Sequence, residues 1–263
     1  MIDTHSHILP GVDDGARTLQ QSIEMIKMAH KNGVQSMFAT PHYIQYEGYN
    51  EVKDNTKIFK WLESALKEEN IDIDIYMGHE IFITPDIVTL IEEEKVATLN
   101  GSRYVLIELP MFDVPKFTED IIYALRIKGY VPIIAHPERN KKIIDDPNIL
   151  YHLIHLGALT QLNLSSIGGY YGQDVKNTAQ ILAKYDMIHF AGSDVHSLNP
   201  KPMLVEALVT QLTQLIGHQR VNEIISHNPQ AIIKDSALAV REAKQYRQIS
   251  AIKRLYNLLV SGL

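Results

Sequence analysis

One pattern recurs six times along the chain: an apolar run of strand length is followed at once by histidine or carboxylate side chains. The runs begin roughly 25–40 residues apart, the length of one strand–helix unit with its loops. Strands of such units are parallel and end at one edge of a sheet, so the polar pieces are expected to meet there. The pieces supply nine side chains able to bind a metal, namely His5, His7, Asp14, His42, Glu80, Glu108, His136, Asp194 and His196.

The apolar runs predict seven strands, which are Ile2–His5, Ser36–Ala39, Asp74–Gly78, Tyr104–Leu109, Val131–Ala135, Thr160–Leu164 and Ile188–Ala191. Apolar residues at helical spacing predict helices between and after them, at Thr18–Lys31, Lys53–Glu69, Pro85–Glu94, Thr118–Lys128, Pro147–His155, Asp174–Tyr185, Pro202–Leu215 and Val221–His227, with a long last helix from about Ser236 to Val260.

This alternation of strands and helices predicts an α/β fold with a parallel sheet. A closed barrel collects side chains from nearly every strand end, whereas an open doubly wound sheet collects them mainly at one switch point. The distribution of the polar pieces therefore favours a barrel. No low-complexity segment or linker divides the sequence, so residues 1–263 are expected to form a single domain.

Composition excludes several classes of protein. The chain has no cysteine, so a cysteine phosphatase or cysteine hydrolase is excluded. The net charge of −6 argues against nucleic acid as the main partner. No apolar run approaches the ~20 residues that span a bilayer, and no signal peptide precedes the first predicted strand. We therefore expect a cytoplasmic protein without direct membrane insertion.

The pair His5 and His7 has the spacing of two side chains on one face of a strand, which suits chelation of a single ion. The alternative is a pair of structural histidines in a polar turn. His79 is expected to point away from the neighbouring Glu80, and His189 is expected to be a buried, hydrogen-bonded residue or a support for a ligand.

Two glutamates, Glu80 and Glu108, end very apolar runs. A carboxylate is costly to bury there unless it is paired or coordinated. Coordination is preferred, and the alternative is a salt bridge at the barrel mouth with Arg103 or Arg139.

Longer motifs surround these ligands, and they resemble the PHP (polymerase and histidinol phosphatase) superfamily over nearly the whole chain. Within it they look like the tyrosine-protein phosphatases of bacterial capsule and exopolysaccharide loci. The motifs are Asp3-x-His5-x-His7-Ile-Leu-Pro-Gly-x-Asp13-Asp14-Gly15, Ala39-Thr-Pro-His42, Ile134-Ala-His-Pro-Glu-Arg139 and Gly192-Ser-Asp-x-His196.

The resemblance implies a distorted (β/α)7 TIM-like barrel, the PHP fold, that holds three divalent metal ions. These are commonly manganese, with iron or zinc as alternatives. The implied substrate is the phosphotyrosine-bearing tail of a partner tyrosine kinase, and the oligomeric state stays open. The implied ligands are His5, His7, Glu80 and Asp194 for one ion, Glu80, Glu108 and His136 for a second, and Asp14, His42 and His196 for the third.

The same resemblance implies three catalytic side chains. Arg139 matches the family arginine that neutralises charge on the phosphoryl group, and His196 is a candidate proton donor to the leaving group. Lys201 stands where the family usually has arginine; it keeps the positive charge but loses bidentate recognition of phosphate. The metal ions would activate water for direct attack, so no covalent phosphoenzyme is expected.

The loop 43–49 follows His42 and carries three tyrosines, which either stack on a substrate tyrosine or pack on the barrel edge. The alternative function is a phosphatase of a small phosphomonoester such as histidinol phosphate. A PHP nuclease is disfavoured by the acidic chain. A non-catalytic binding module is disfavoured because all nine ligand positions are filled.

Overall fold

The computed structural model describes residues 1–198 and 205–247. In these residues the protein has a mixed α/β architecture in which every strand pair is parallel. The strands described there are β1 Ile2–Ser6, β2 Ser36–Ala39, β3 His42–Tyr43, β4 Asp74–Met77, β5 Glu80–Phe82, β6 Tyr104–Glu108, β7 Val131–Ala135, β8 Leu159–Asn163 and β9 Phe190–Gly192.

The strands form a three-stranded sheet of order β1-β2-β4 and a curled six-stranded sheet of order β3-β5-β6-β7-β8-β9. The sheets are linked because β2 and β3 are separated only by Thr40 and Pro41, and β4 and β5 only by Gly78 and His79. β2 pairs with β4, and β3 pairs with β5. The consecutive segments β2 and β3 therefore act as one interrupted strand, and β4 and β5 act as a second interrupted strand beside it.

β1 also contacts the chain that follows β9. Ser6 forms a parallel bridge with Val195, and the His7 backbone N–H donates to the Val195 carbonyl at 3.0 Å. In turn the Asp194 N–H donates to the His5 carbonyl at 2.9 Å. β1 therefore has hydrogen-bonded neighbours on both sides, β2 on one and the segment after β9 on the other.

Alternation of side chains along the strands produces two apolar clusters. One cluster lies between the strands and the helices and contains Val105, Ile107 and Ile134 together with the buried faces of the helices. The other, which we call the inner core, consists mainly of strand residues, with Leu99 and two residues of a late helix beside them: Ile2, Phe38, Leu99, Tyr104, Leu106, Ile133, Ala135, Leu159, Phe190, Ala231 and Ile232.

Helices follow or separate the strands, and none of those in the described residues is long and apolar enough to cross a membrane. The Thr18 hydroxyl caps the first of them by accepting from the Gln21 N–H at 3.2 Å. The α-helices are α1 Leu19–Lys31, α2 Val52–Glu68, α3 Ile87–Glu92, α4 Thr118–Ile127, α5 Lys141–Asp145, α6 Asn148–His155, α7 Leu164–Gly168, α8 Gln173–Lys184, α9 Val205–Ile216, α10 His218–Asn222 and α11 Asn228–Ile233.

Strand prediction is confirmed for the bounds of Ser36–Ala39 and Val131–Ala135, and the other five predicted strands differ by one or two residues at one end or at both. The short strands β3 and β5 were not predicted. Each is only two or three residues long and follows a break at proline or glycine, so no alternation of apolar and polar residues can develop there.

The predicted helix from Ser236 to Val260 is wrong for its described part, because residues 236–247 form neither helix nor strand. Tertiary contacts hold this stretch in place of helical hydrogen bonds: Arg241 pairs with Glu223 at 2.7 Å, and Tyr246 N–H donates to the Asn148 side chain at 2.9 Å. Residues 248–260 lie outside the described residues.

Two other late helices also differ from the prediction. The predicted helix Pro202–Leu215 is described from Val205 onward and ends at Ile216. The predicted helix Val221–His227 is divided between α10 and a π-helical turn at Glu223–His227.

Glycine at the end of β9 is required by a close approach of strands. An added Cβ at Gly192 would lie 2.6 Å from the His5 Cβ and 2.8 Å from Gln161 Nε2. We expect Gly192→Ala to lower the free energy of unfolding by about 1–3 kcal/mol, measured by urea denaturation, because neither neighbour can move freely. Ser64→Ala is the control, since Ser64 is exposed on α2 and its hydroxyl bonds only the Lys60 carbonyl of its own helix among the described residues. A Gly192→Ala protein as stable as the wild type would contradict the expected crowding.

Candidate metal centre

The strands bring all nine predicted ligands to one end of the sheet. His42 and Glu80 are paired in register on β3 and β5, and Glu80 is paired in register with Leu106 on β6. Glu108 lies two residues beyond Leu106 and therefore points to the same face. Because Leu106 belongs to the inner core, these ligands continue the rows of inner-core side chains to the carboxyl ends of the strands.

The histidines of β1 reach the same face through an irregularity in that strand. Ile2 belongs to the inner core, yet His5, three residues later, also points inward, toward Glu80. The β1–β2 register shifts between Asp3 and Ser6, and this shift changes the parity of the strand.

Two further predicted ligands have a left-handed backbone. His136, directly after β7, has φ 30°, and Asp194, directly after β9, has φ 53°. Such angles are uncommon for residues other than glycine and are typical of functional sites, where surrounding contacts enforce them.

The ligand atoms fall into three overlapping groups whose members lie within 4.8 Å of one another: His7, Asp14, His42 and His196; His5, His7 and Glu80; and His42, Glu80 and Glu108. The two remaining predicted ligands adjoin these groups. His136 Nε2 lies 2.8 Å from Glu80 Oε1, and Asp194 Oδ1 lies 3.4 Å from His7 Nε2.

The orientation of two imidazoles fits a cation between them. His5 Nδ1 donates to Gln161 Oε1 at 2.9 Å, and His7 Nδ1 donates to Asp13 Oδ2 at 2.7 Å. In the neutral rings each Nε2 therefore carries a lone pair, and these two atoms face each other at 3.1 Å. Two lone pairs repel at that distance unless a proton or metal ion lies between them, so the donor set suits a metal.

The carboxylate of Glu80 fits the same conclusion. Its Oε2 lies 2.9 Å from His42 Nδ1, 3.3 Å from His5 Nε2 and 3.5 Å from His7 Nε2. Nevertheless, in the part of the chain that the structure describes, neither Glu80 Oε2 nor His42 Nδ1 has an aligned hydrogen bond, although both are buried. An oxygen surrounded by nitrogens but bonded to none is what a shared metal ligand requires.

The electrostatics of the site favour bound cations. Burial opposes protonation of His5, but the neighbouring Glu80 and Asp194 carboxylates outweigh it and raise its pKa to about 9. Burial also opposes protonation of His7 and His42, but nearby carboxylates, Asp13 foremost for His7 and Glu80 for His42, raise the pKa of both. Burial opposes ionisation of Glu80 and Asp194, yet the histidines lower the pKa of both carboxyls. Protons thus neutralise a negative potential that metal ions can neutralise instead.

Two supporting residues, Asp13 and Gln161, were missed by the sequence reasoning. Asp13 accepts from His7 and also from the Gly15 and His42 backbone N–H groups at 2.9 and 3.1 Å. Its place in the first motif was a usable signal. Gln161 on β8 had no signal in the sequence, because its inward direction follows from its pairing with Phe190 of the inner core.

The predicted catalytic residues are placed unequally. Arg139 lies in a short 3-10 helix at Pro137–Arg139, and its Nη1 donates to Asp194 Oδ2 at 2.8 Å. His196 Nδ1 donates to the Asp194 carbonyl at 3.0 Å, so in the neutral ring Nε2 carries the lone pair and faces Asp14 at 3.3 Å. Lys201 lies outside the described residues.

The alternative of salt bridges from arginine to the two glutamates is wrong. Arg103 pairs with Asp235 at 3.0 Å, and Arg139 pairs with Asp194. Glu80 and Glu108 face histidines instead, as Glu108 Oε2 lies 3.8 Å from His42 Nδ1.

The two buried histidines next to ligand strands are structural. His79 accepts from the Ala97 N–H at 2.8 Å and contacts Asn55, and burial lowers its pKa to about 4. His189 accepts from the Thr160 N–H at 3.2 Å, and burial lowers its pKa to about 3. Neither imidazole bonds any of the nine side chains, so His189 does not support a ligand.

Comparison with known proteins agrees with this geometry. Residues 1–234 match the family described as "Capsular polysaccharide synthesis, CpsB/CapC". The chain belongs to the CpsB/CapC family.

Among its relatives in this family is the tyrosine-protein phosphatase YwqE of Bacillus subtilis, which is 34% identical over 248 residues, 94% of each chain. The putative tyrosine-protein phosphatase CapC of Staphylococcus aureus is 35% identical over 208 residues, 79% of this chain and 82% of CapC. A crystal structure from work on YwqE and the Streptococcus pneumoniae protein CpsB, described as unique metal-dependent tyrosine phosphatases, superposes with a TM-score of 0.90. It has 31% identity and covers 94% of this chain and 100% of that one.

Replacement of Asp13 tests, without an assay of catalysis, whether the hydrogen bond that orients His7 supports metal binding. We expect Asp13→Asn to weaken metal retention about 10- to 100-fold, because an amide cannot accept from His7 Nδ1 and two backbone N–H groups equally well. Metal content would be measured by mass spectrometry after dialysis against graded chelator. Asp54→Asn on the exposed face of α2 is the control, and equal retention by both variants would contradict the role of Asp13.

Proposed function

We propose that this protein is a metal-dependent protein-tyrosine phosphatase that hydrolyses phosphotyrosine on the tail of a cognate bacterial tyrosine kinase and so regulates capsule or exopolysaccharide synthesis. The observation that carries the proposal is the convergence of nine imidazole and carboxylate side chains at the strand ends, in a chain 34% identical to a named tyrosine-protein phosphatase. A cytoplasmic location follows from the substrate, because tyrosine is phosphorylated there by ATP.

The proposed fold is a single-domain, distorted (β/α)7 barrel of the PHP type spanning residues 1–263. Because β2 with β3 and β4 with β5 each act as one interrupted strand, the nine strands of the described residues count as seven in the proposed ring. Support for closure comes from β1, which is bonded to β2 on one side and to Val195 after β9 on the other. The inner core enclosed by strand residues supports the same arrangement.

We propose three divalent ions in this site, manganese first, with iron or zinc as alternatives, because imidazole and carboxylate together suit all three metals. His5, His7, Glu80 and Asp194 would hold one ion, Glu80, Glu108 and His136 a second, and Asp14, His42 and His196 the third. Two of the overlapping groups support the first and third sets, with His7 additionally close to the third, whereas the group that contains Glu80 and Glu108 includes His42 and not His136.

Bound divalent ions supply a nucleophile from water at neutral pH and stabilise charge on the phosphate. The protein's own contribution is positioning and charge. Arg139 is fixed beside Asp194 with part of its side chain accessible, so its guanidinium can neutralise charge that spreads over the phosphoryl oxygens. Lys201 is proposed as a second positive charge that stabilises the phosphoryl oxygens less than Arg139 does, because lysine cannot bind phosphate in a bidentate way.

The tautomer of His196 favours its role as a ligand over that of an acid, since Nε2 carries the lone pair and Nδ1–H is bonded to a carbonyl. The departing phenolate has a pKa of about 10 and needs less help from an acid than an alkoxide does. Protonation by His196 therefore contributes less than the charge of Arg139.

The tyrosines after His42 have different positions. Tyr43 is buried in the core, whereas Tyr46 is 92% exposed. Tyr49 lies with its ring 6.3 Å from the His42 ring, edge-on. We propose that Tyr49 contacts the aromatic ring of the substrate, while Tyr43 belongs to the barrel wall.

Phosphate release from a phosphotyrosine peptide tests the proposed function. Protein stripped of metal should be inactive, and added Mn²⁺ should restore release. His136→Ala should lose at least about 100-fold of the restored rate, because its imidazole is buried against Glu80 in the site. His152→Ala is the matched control, since His152 is exposed on α6 and, within residues 1–198 and 205–247, its only ion pair is with Glu119.

Phosphate release from histidinol phosphate, measured in the same assay, distinguishes the tyrosine phosphatase from a phosphatase of small phosphomonoesters. Faster turnover of histidinol phosphate than of the peptide would replace the tyrosine phosphatase by a phosphatase of small phosphomonoesters. No release from either substrate with any divalent metal would overturn both.

A further inference from the structure

The guanidinium of Arg139 is held at one edge and on one face. Nη1 donates to Asp194 Oδ2 at 2.8 Å, and Cζ lies 4.4 Å from the centre of the Tyr171 ring. Among the described residues, Nε and Nη2 have no hydrogen-bond partner, and the side chain is 23% exposed. These donors are therefore available to an oxyanion while the rest of the group is fixed.

Tyr171 reaches this position through the tight connection between α7 and α8. Gly169, with φ 83°, ends α7 in the left-handed conformation, and Gly172, with φ 97°, directly precedes α8. The Tyr170 N–H donates to the Ser165 carbonyl at 3.1 Å, which fixes the turn. The Tyr170 ring then packs edge-on against Tyr171 with centroids 5.0 Å apart.

A buried amide connects Tyr171 to the site. Asn163 Nδ2 donates to the Tyr171 hydroxyl at 3.2 Å and to Asp194 Oδ2 at 2.7 Å. Asn163 is itself fixed, because its Oδ1 accepts from the Ser165 N–H and its backbone N–H donates to the buried carboxylate of Glu138 at 2.9 Å. Tyr171 is thus anchored independently of Arg139.

The chemistry of this contact suits a clamp for phosphate. A neutral phenol ring attracts a guanidinium through its π face. Unlike a second carboxylate, it does so without cancelling the positive charge that a phosphoryl group requires. Asp194 Oδ2 already receives both Arg139 and Asn163, so its Oδ1 stays directed toward His5 and His7.

We propose that Tyr171 is a positioning residue for phosphoryl transfer: its ring face orients the Arg139 guanidinium so that Nε and Nη2 are presented to the phosphoryl oxygens. This inference rests on the proposed function, because it assigns the ring a part in the same reaction. The ring face toward Arg139 is occupied, so the substrate tyrosine does not stack there.

The test replaces Tyr171 by side chains of similar shape and different ring electrostatics. Tyr171→Phe keeps the π face and the packing against Tyr170 but loses the hydroxyl with its bond from Asn163, so it is the reference for the second replacement, which lacks the same hydroxyl. Replacement by pentafluorophenylalanine preserves the shape but removes the attraction of the ring face for cations. We expect kcat of the pentafluorophenylalanine protein to lie roughly 3- to 30-fold below that of Tyr171→Phe, with a smaller change in KM.

Two further measurements distinguish positioning from a structural effect. In an Arg139→Ala background the same pair of Tyr171 replacements should differ by less than about twofold, because the group that the ring orients is gone. Binding of inorganic phosphate to the Mn²⁺-loaded protein, measured by calorimetry, should be weaker for the pentafluorophenylalanine protein than for Tyr171→Phe.

Equal turnover and equal phosphate binding by the two aromatic variants would overturn the role of Tyr171. An undiminished difference in the Arg139→Ala background would overturn it as well. A wild-type protein that releases no phosphate from the peptide would contradict the proposed function instead, and the comparison of phosphate binding would still decide whether the ring orients Arg139.

Discussion

The structure depends on how positive charge balances the carboxylates that are gathered at the carboxyl ends of the strands. Five imidazoles and four carboxylates meet there, and among the latter Glu80 is fully buried. Carboxylates cannot be gathered in this way without cations, because desolvation and mutual repulsion both oppose it. Arg139 pairs with Asp194, so the remaining charge must be balanced by protons or by metal ions. Asp13 and Gln161 fix the tautomers of His7 and His5 so that both Nε2 lone pairs face each other, which favours balance by metal ions.

The fold provides this concentration of ligands through regular strand geometry. Rows of inner-core side chains end in ligands at the carboxyl ends of the strands, as with Leu106 and Glu108 on β6. Where regular geometry does not suffice, the backbone departs from it: the register of β1 shifts before His7, and His136 and Asp194 adopt positive φ. The apolar inner core thus supports the site from below, and its order is what holds the donors at fixed separations.

Much of this arrangement is predictable from sequence because ligand chemistry and strand spacing are both local signals. All nine candidate metal-binding residues were named from motifs, and the structure places them close together. The interrupted strands β3 and β5 were not predicted, since a strand of two or three residues has no periodicity. The last predicted helix was wrong over residues 236–247 because contacts to Glu223 and Asn148 compete with helical bonds. Gln161, Asn163 and Tyr171 were missed for a related reason: their roles exist only through partners distant in the chain.

The most direct test of a polynuclear metal centre is the number and position of metal ions in crystals of the Mn²⁺-loaded protein, read from anomalous scattering at the manganese edge. Three peaks are expected, one within each proposed ligand set: His5, His7, Glu80 and Asp194; Glu80, Glu108 and His136; and Asp14, His42 and His196. No peak among these side chains, or a single peak away from Glu80, would contradict the claim that the strand ends form a polynuclear metal centre.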